Sequence, residues 1–315
     1  MKLGLLTTHK KNKIEEQRLV QAALDKGHQI DTLNVLGCSI SVSSEKSRIY
    51  YDDQSIENQY DVIIPRIDMP HIEYGLTVLQ QFEALGVCVT DNVQAIRAGH
   101  NKLQTMQAFI GKGIPFPTTG FAHSKEDFDQ ILETVGGVPL VAKLLEGTEG
   151  IGIFLADDQK HAHNILKTFK QLSAPVIVQD FIKESSGTDI RAFVIDGKVV
   201  ASMERQSSDG DFRANVSLGG SSLEAHLSRK EIDIVLRATK AIGINIGGVD
   251  FIRSNSGPLV IEINTAPDFS GSYGLDEVTG IDVAGQIIDF AAQLKKSREI
   301  ENNSDRKKLK KSIAA

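Results

Sequence analysis

The tightest constraint on the fold lies in the first hundred residues, where apolar β-type runs alternate with helix-period segments. Lys2 to Thr8 reads as a buried strand. Ile14 to Lys26 reads as an amphipathic helix, with Leu19, Val20, Ala23 and Leu24 ahead of Gly27. Gln29 to Val35 is a second strand, Asp61 to Arg66 a third, Ile72 to Leu85 a helix stopped by Gly86, and Val87 to Thr90 a further strand. Parallel strands need a crossover of about this length, so residues 1–100 are expected to form a parallel α/β unit.

The pattern changes where a helix, Lys102 to Phe109, runs into Gly113-Ile114-Pro115-Phe116-Pro117. Beyond this boundary come a helix (Lys125 to Val135), a strand pair (Val138 to Leu145 and Ile151 to Ala156), a helix (Gln159 to Leu172) and a strand (Val176 to Phe181). Strands joined by a glycine loop suggest antiparallel pairing. After Asp189 the chain is strand-rich: Ile190 to Ile195, an Asp196-Gly197 turn, and Val199 to Glu204. A helix (Arg229 to Ile242), strands Gly248 to Arg253 and Leu259 to Asn264, and a last helix from Ile281 complete it.

Composition removes several classes of function. The chain has 315 residues, 41% of them hydrophobic and 24% charged, which is ordinary globular usage with ample core. Cys38 and Cys88 lack metal-ligand spacing and fit reduced thiols in the cytoplasm. No signal peptide is expected, and no apolar run reaches the ~20 residues that span a bilayer. The net charge of -6 argues against a broad nucleic-acid surface. Lys295 to Ala315 reverses that sign, with eight Lys or Arg against three Asp or Glu, and leaves -11 on the rest. This segment reads as a solvated terminus, or else as an arm contacting RNA or a ribosome.

Two constellations carry chemistry. Val138 to Lys143 is a buried-strand pattern ending in lysine, followed by Glu146-Gly147-Thr148-Glu149-Gly150-Ile151-Gly152. Such glycines let backbone N–H groups approach an anion, and the lysine adds a point charge for phosphate; the alternative is a plain hairpin turn with a snorkelling lysine. It is neither a Walker A nor a Rossmann fingerprint. The second is Gly248-Val249-Asp250 with Leu259-Val260-Ile261-Glu262-Ile263-Asn264. Residues two apart in a strand share a face, so Glu262 and Asn264 point together, and a hairpin through Ser254 to Pro258 brings Asp250 beside them. Acids inside apolar β runs need a partner: either Mg²⁺ with triphosphate oxygens, or arginine.

Arginines lie between, in Asp189-Ile190-Arg191, Glu204-Arg205 and Asp211-Phe212-Arg213-Ala214-Asn215. Their forks suit phosphoryl or carboxylate groups, although singly each also reads as a surface ion pair. The histidines offer little. His161 and His163 diverge on one helix, and His123 precedes Ser124, a helix cap. No nucleophile elbow occurs.

This order of lysine, glycine loop, Gln179-Asp180-Phe181-Ile182, arginines and Asp…Glu-x-Asn resembles the ATP-grasp superfamily, specifically RimK-type ligases that add L-glutamate to the C-terminus of a small-subunit ribosomal protein. Pro65-Arg66-Ile67, Gly210 to Asn215 and Thr279-Gly280-Ile281-Asp282 extend the likeness from Lys2 to about Phe290. The resemblance implies an α/β and α+β chain: a Rossmann-like pre-ATP-grasp domain (1–100), a central nucleotide-lid subdomain (101–185), a C-terminal subdomain with the metal site (186–294) and a basic flexible tail (295–315). ATP would lie between the two subdomains. Lys102 and Lys143 would contact its phosphates under the loop of Gly147, Thr148, Gly150, Ile151 and Gly152. Gln179, Asp180, Phe181 and Ile182 would line the adenine pocket, with Asp189 near the ribose. Arg213, Ala214 and Asn215 would lie at the phosphate and substrate end, Arg205 and Arg213 would be catalytic, and Asp250, Glu262 and Asn264 would hold Mg²⁺ or Mn²⁺.

The chain departs from that family at Asp180, where Glu is usual, at Asn101 before Lys102, where Asp is usual, and from Asn264-Thr265-Ala266-Pro267-Asp268 through Val278. The implied reaction forms an amide through an acyl phosphate, in a cytoplasmic homo-oligomer with no direct nucleic-acid role and no membrane. Its alternatives are a ligase acting on a small peptide or amino acid, and an ATP-binding regulator without catalysis.

Overall fold

The structure, a computed structural model, describes residues 1–9, 13–121, 127–147, 150–208, 210–214 and 219–313, with side chains as far as 301. Thr148, Asn215, His123 and Ser124, singled out above, lie outside the described residues. Contacts divide the chain into two units. One comprises Met1–Val93, Asp268–Ser270 and Asp282–Ala315, and the other Gln94–Pro267 and Gly271–Ile281.

The first unit contains β1 (Lys2–Thr7), α1 (Ile14–Asp25), β2 (Gln29–Asn34), β3 (Cys38–Ser41), β4 (Arg48–Tyr51), β5 (Gln54–Ser55), β6 (Val62–Arg66), α2 (Ile72–Ala84) and β7 (Cys88–Val89). Its main sheet has the order β2-β1-β6-β7, and every pairing is parallel, as the alternation of strands and helices required. Leu3, Leu5 and Leu6 of β1 and Val62, Ile63 and Ile64 of β6 are buried, as is expected of strands covered on both faces. The small antiparallel sheet β3-β4-β5 was not anticipated, because strands this short leave no readable period. The C-terminal helix, Val283–Ile313, belongs to this unit and packs on α1. Val283, Ile287, Ile288 and Ala291 are its buried side. The segment from Lys295 onward, expected as a flexible tail, continues this helix to Ile313.

The second unit begins at Gln94, one residue into α3 (Val93–His100). It continues with α4 (Lys102–Phe109), β8 (Thr119–Phe121), α5 (Phe128–Thr134), β9 (Leu140–Leu144), β10 (Ile153–Ala156), α6 (Gln159–Gln171) and β11 (Val176–Asp180). The sheet order is β10-β9-β11-β8, wholly antiparallel. Leu140 and Ala142 of β9 enter one core with Phe128 and Leu132 of α5 and Ile165 and Leu166 of α6. Strand alternation therefore turns Val141 and Lys143 to the opposite face.

A second antiparallel sheet follows, formed by β12 (Thr188–Ile195), β13 (Lys198–Gln206), β14 (Ser221–Glu224), β15 (Ile246–Ser254) and β16 (Gly257–Asn264) in the order β14-β13-β12-β15-β16. Asp196 and Gly197 have φ of 50° and 68°, so both central residues of the β12–β13 turn are left-handed, the geometry that matches strand twist. Helix α7 (Arg229–Ile242) starts at a Ser228/Glu231 capping box and stops at Gly243, φ 78°. The short α8 (Leu275–Thr279) closes the unit.

Candidate functional site

Antiparallel pairing sets Lys143 opposite Ile153 on β10 and Ile177 on β11. The face that carries Val141 and Lys143 lines a cleft with Gly147, Gly150, Ile151 and Ile153 on one side. Gln179, Asp180, Phe181 and Ile182 follow along its wall, and Asp189, Arg205, Arg213, Ala214 and Glu262 complete it. Lys102, at the start of α4, also reaches in. The side chain of Asn101 caps α4 by accepting from the Gln104 N–H at 3.0 Å, so the amide that departs from the family pattern still does the capping. The Lys102 ammonium donates to the Gly147 carbonyl at 2.9 Å and stands 3.7 Å from Glu262 Oε2.

Burial pushes the Lys143 amine down to about 8, with Lys102 adding to the fall and Glu262, Asp189 and Asp250 opposing it. Two lysines and one carboxylate are thus held together at the loop, an arrangement completed by a multiply charged anion. Gly152 lies behind the loop rather than in the cleft wall. Its φ is 75°, and a Cβ there would run into the Leu144 side chain, so only glycine fits. Gly150 has the same φ and accepts from Arg213 Nη1 at 3.2 Å.

Farther along the cleft wall, Gln179 is almost fully buried and donates to Thr119 Oγ1 at 2.8 Å. Phe181 and Phe212 meet edge to face, 6.2 Å between centroids. Pro117, Val141, Ser185, Ser186, Ile252 and Ile261 also line the cleft and were not anticipated. Alternation from Lys143 could have found Val141. Ile261 could not be found that way. Asp250 pairs with Glu262 and Phe251 with Val260, which leaves Ile261 as the extra residue of a β-bulge and turns it with Glu262 toward the cleft.

The hairpin does place Asp250 beside Glu262, and Asn264 Nδ2 donates to Asp250 Oδ2 at 3.1 Å and to Glu262 Oε1 at 3.3 Å. Of the two partners that the sequence allows Asp250, arginine is present. Arg191 binds it bidentately (2.8 and 2.7 Å) and Arg205 Nη2 adds 2.8 Å. Burial alone would raise this carboxyl; the two guanidiniums overcome it and hold Asp250 well below the usual carboxylate range. Arg205 also binds Asp189 bidentately, 2.7 Å on each oxygen. Asp189 and Arg205 are therefore two members of one buried network. Arg191, in the sequence cluster but without a role there, is its anchor. Arg213 is instead paired with Asp211 at 2.7 Å and stacks near Phe212.

Among the described residues no three His, Cys, Asp or Glu side chains gather as a ready-made metal cage. Of the three expected ligands Glu262 alone lines the cleft; Asp250 is fully buried against two guanidiniums, and Asn264 turns its amide nitrogen to both carboxylates. A hard cation held here would need that amide to present its oxygen and would take most of its shell from a ligand. His163, set aside above, pairs with Asp129 at 2.9 Å on an exposed helix face. No helix among the described residues is long and apolar enough to cross a membrane.

Residues 1–96 match the RimK PreATP-grasp domain and residues 99–291 the RimK-like ATP-grasp domain. Proteins named probable alpha-L-glutamate ligase are similar throughout: one from Picosynechococcus sp. is 42% identical over 290 residues (92% of this chain, 95% of that one), and one from Aliivibrio fischeri is 43% identical with the same coverage. Among solved structures, a RimK domain ATP-grasp protein from Sphaerobacter thermophilus superposes with a TM-score of 0.69 at 19% identity, over 93% of this chain and 100% of the other. The ATP-grasp ligase PsnB, complexed with minimal precursor, Mg and ADP, gives 0.69 at 17% identity over 93% and 98%. Both share the fold.

Proposed function

Because the chain belongs to the RimK-like ATP-grasp family, and is thus an ATP-dependent ligase forming carbon–nitrogen bonds, we propose that it joins L-glutamate to a protein C-terminus, that of a small-subunit ribosomal protein. The supporting observation is the convergence on one cleft of Lys102, Lys143, Arg205, Arg213 and Glu262. Opposed charges held there suit phosphoryl transfer, and the site needs no nucleophile of its own.

In the proposed reaction an acceptor carboxylate oxygen bonds to the γ-phosphorus of ATP as the bond to the ADP oxygen breaks. The amine nitrogen of glutamate then bonds to the acyl carbon, phosphate leaves, and the amine gives up a proton. Lys143 and Lys102 neutralise the phosphates, and Arg213, tethered to the Gly150 carbonyl, holds the loop end near the transferred group. The buried Asp189–Arg205–Asp250–Arg191 network fixes the orientation of the groups along the cleft floor. Asp250, Glu262 and Asn264 would hold Mg²⁺, with Mn²⁺ as a substitute, which when bound supplies charge stabilisation to the triphosphate. Thr148 and Asn215 belong to the same reading. So do the four-part division of the chain and assembly into a homo-oligomer.

The test is ADP release by the purified protein with ATP, Mg²⁺, L-glutamate and candidate acceptors, read beside mass spectra of the acceptor. Stepwise glutamyl additions to the ribosomal protein tail support the proposal. Release driven by a small peptide or amino acid instead gives the other ligase reading, and ATP binding without turnover gives the regulator.

A further inference from the structure

The second unit's sheet that carries Lys143 ends on β10, whose outer edge pairs with no strand among the described residues. The Leu144 N–H donates to the Gly152 carbonyl, so in the antiparallel ladder Phe154 and Ala156 exchange hydrogen bonds with Ala142 and Leu140. Ile153 and Leu155 therefore aim their N–H and C=O groups away from β9. Among the described residues nothing bonds to those groups. An open edge of this kind is a template for another chain, and proteins blunt it with charge or proline. Strand β2, at the edge of its own sheet, carries Asp31, and β14 ends in Glu224. Ile153-Phe154-Leu155-Ala156 has neither device.

The side chains flanking this edge are apolar and open. Ile153 lines the cleft, as does Ile151, which is 69% exposed. Phe154, on the other face, meets Phe169 of α6 edge to face, 5.4 Å between centroids, and is still 43% exposed. An added strand would lie between these two surfaces and send alternate side chains to each. Its direction matters, because β10 begins where the glycine loop ends. A strand antiparallel to β10 runs from Ala156 toward Ile153 and brings its C-terminal end to Ile151 and Gly150, in the loop whose Gly147 carbonyl accepts from Lys102. A parallel strand would bring its N-terminal end there instead.

We propose that the outer edge of β10 binds the C-terminal segment of a peptide acceptor as an added antiparallel strand, bonded to Ile153 and Leu155, and so delivers its terminal carboxylate to the phosphate end of the cleft. The inference rests on the ligase reading above and names how that acceptor is held. Main-chain hydrogen bonds supply the affinity in this mode of recognition, and the flanking side chains supply the preference.

The test uses the full chain with ADP and Mg²⁺ and the acceptor peptide that sustains ADP release, or the C-terminal peptide of the ribosomal protein where none does. At saturating peptide, amide exchange at Ile153 and Leu155 should slow roughly 10-fold or more, while Phe154, already bonded to β9, changes little. Unprotected Ile153 and Leu155 overturn the proposal. A nitroxide on the peptide's N-terminus should broaden the Ala156 amide more than that of Gly150; the reverse order overturns the antiparallel direction. In initial rates, N-methylation of successive peptide residues should raise acceptor KM roughly 5- to 10-fold at every second position, the worth of one hydrogen bond, and leave the positions between unchanged. Tolerance at all positions overturns the proposal. Leu155→Pro removes one outward N–H, a change that edge strands accept, and should raise acceptor KM by a similar factor with KM for ATP unchanged; an unchanged acceptor KM overturns it. The peptide series carries the test if that variant does not fold. Glutamate-dependent ADP release on the ribosomal protein tail with both amides unprotected removes the strand site and leaves the functional reading standing, whereas protection without release does the opposite.

Discussion

At the scale of single residues, Lys143 and Glu262 define what the cleft accepts. The Lys143 amine titrates near 8 when folded against an ordinary 10.5, so between these values the unfolded chain holds more protons at this site, and its contribution to stability grows as pH rises through that window. A bound triphosphate reverses the balance and restores the proton. At about pH 8.5, ATP binding should therefore take up a fraction of a proton, seen as a heat that varies with buffer ionisation enthalpy. Lys143→Met should abolish the uptake and weaken ATP more than AMP; an unchanged heat in that variant removes Lys143 from the phosphates. Glu262→Gln keeps shape and hydrogen bonding but loses a charge facing the cleft. Turnover should fall about 100-fold or more while thermal unfolding is unmoved, which steady-state rates and a melting curve would check. These two residues were legible in the sequence because a charge inside an apolar strand is conspicuous. The mutual binding of Asp189, Arg205, Asp250 and Arg191 was not, because it joins β12, β13 and β15 across the sheet and no spacing along the chain encodes it.

Elements were legible in proportion to their local chemistry. Helices α4 and α7 keep the expected bounds, Lys102–Phe109 and Arg229–Ile242, with Asn101 and Ser228 capping their starts and Gly243 ending α7, and the Asp196-Gly197 hairpin follows from its turn residues. Strands β8 and β14, with three and four residues, and helix α8, with five, carry too few side chains to show a period. Ser228→Ala should cost about 1 kcal/mol in urea unfolding, the usual worth of such a cap. The change should register without loss of ATP affinity, since α7 contributes nothing to the cleft lining. Gly152→Ala is the complementary case. The left-handed backbone and the clash with Leu144 should cost about 1–3 kcal/mol and loosen the β9–β10 hairpin, read as faster amide exchange at Leu144 and Phe154, whose N–H groups face the partner strand, together with weaker ATP binding. Normal exchange at those amides would show that the loop tolerates a side chain.

At the scale of the whole molecule, the first unit is made from both ends of the chain. Its sheet comes from Met1–Val93, and the C-terminal helix supplies Val283, Ile287, Ile288 and Ala291 to the interior. Losing even one such side chain from a core costs about 2–5 kcal/mol. A chain ending at Glu301 should keep the wild-type melting temperature, whereas one ending at Asp282 should lose the first unit's transition, as differential scanning calorimetry would resolve. The same layout sets an order of events during translation. The first unit's strands are made before the second unit and the helix that packs with them after it, so on the ribosome they wait, without that helix, while the second unit is synthesised. A nascent chain of this design keeps apolar surface exposed until that helix emerges, and a nonsense codon just before Val283 releases a product whose first unit is left open.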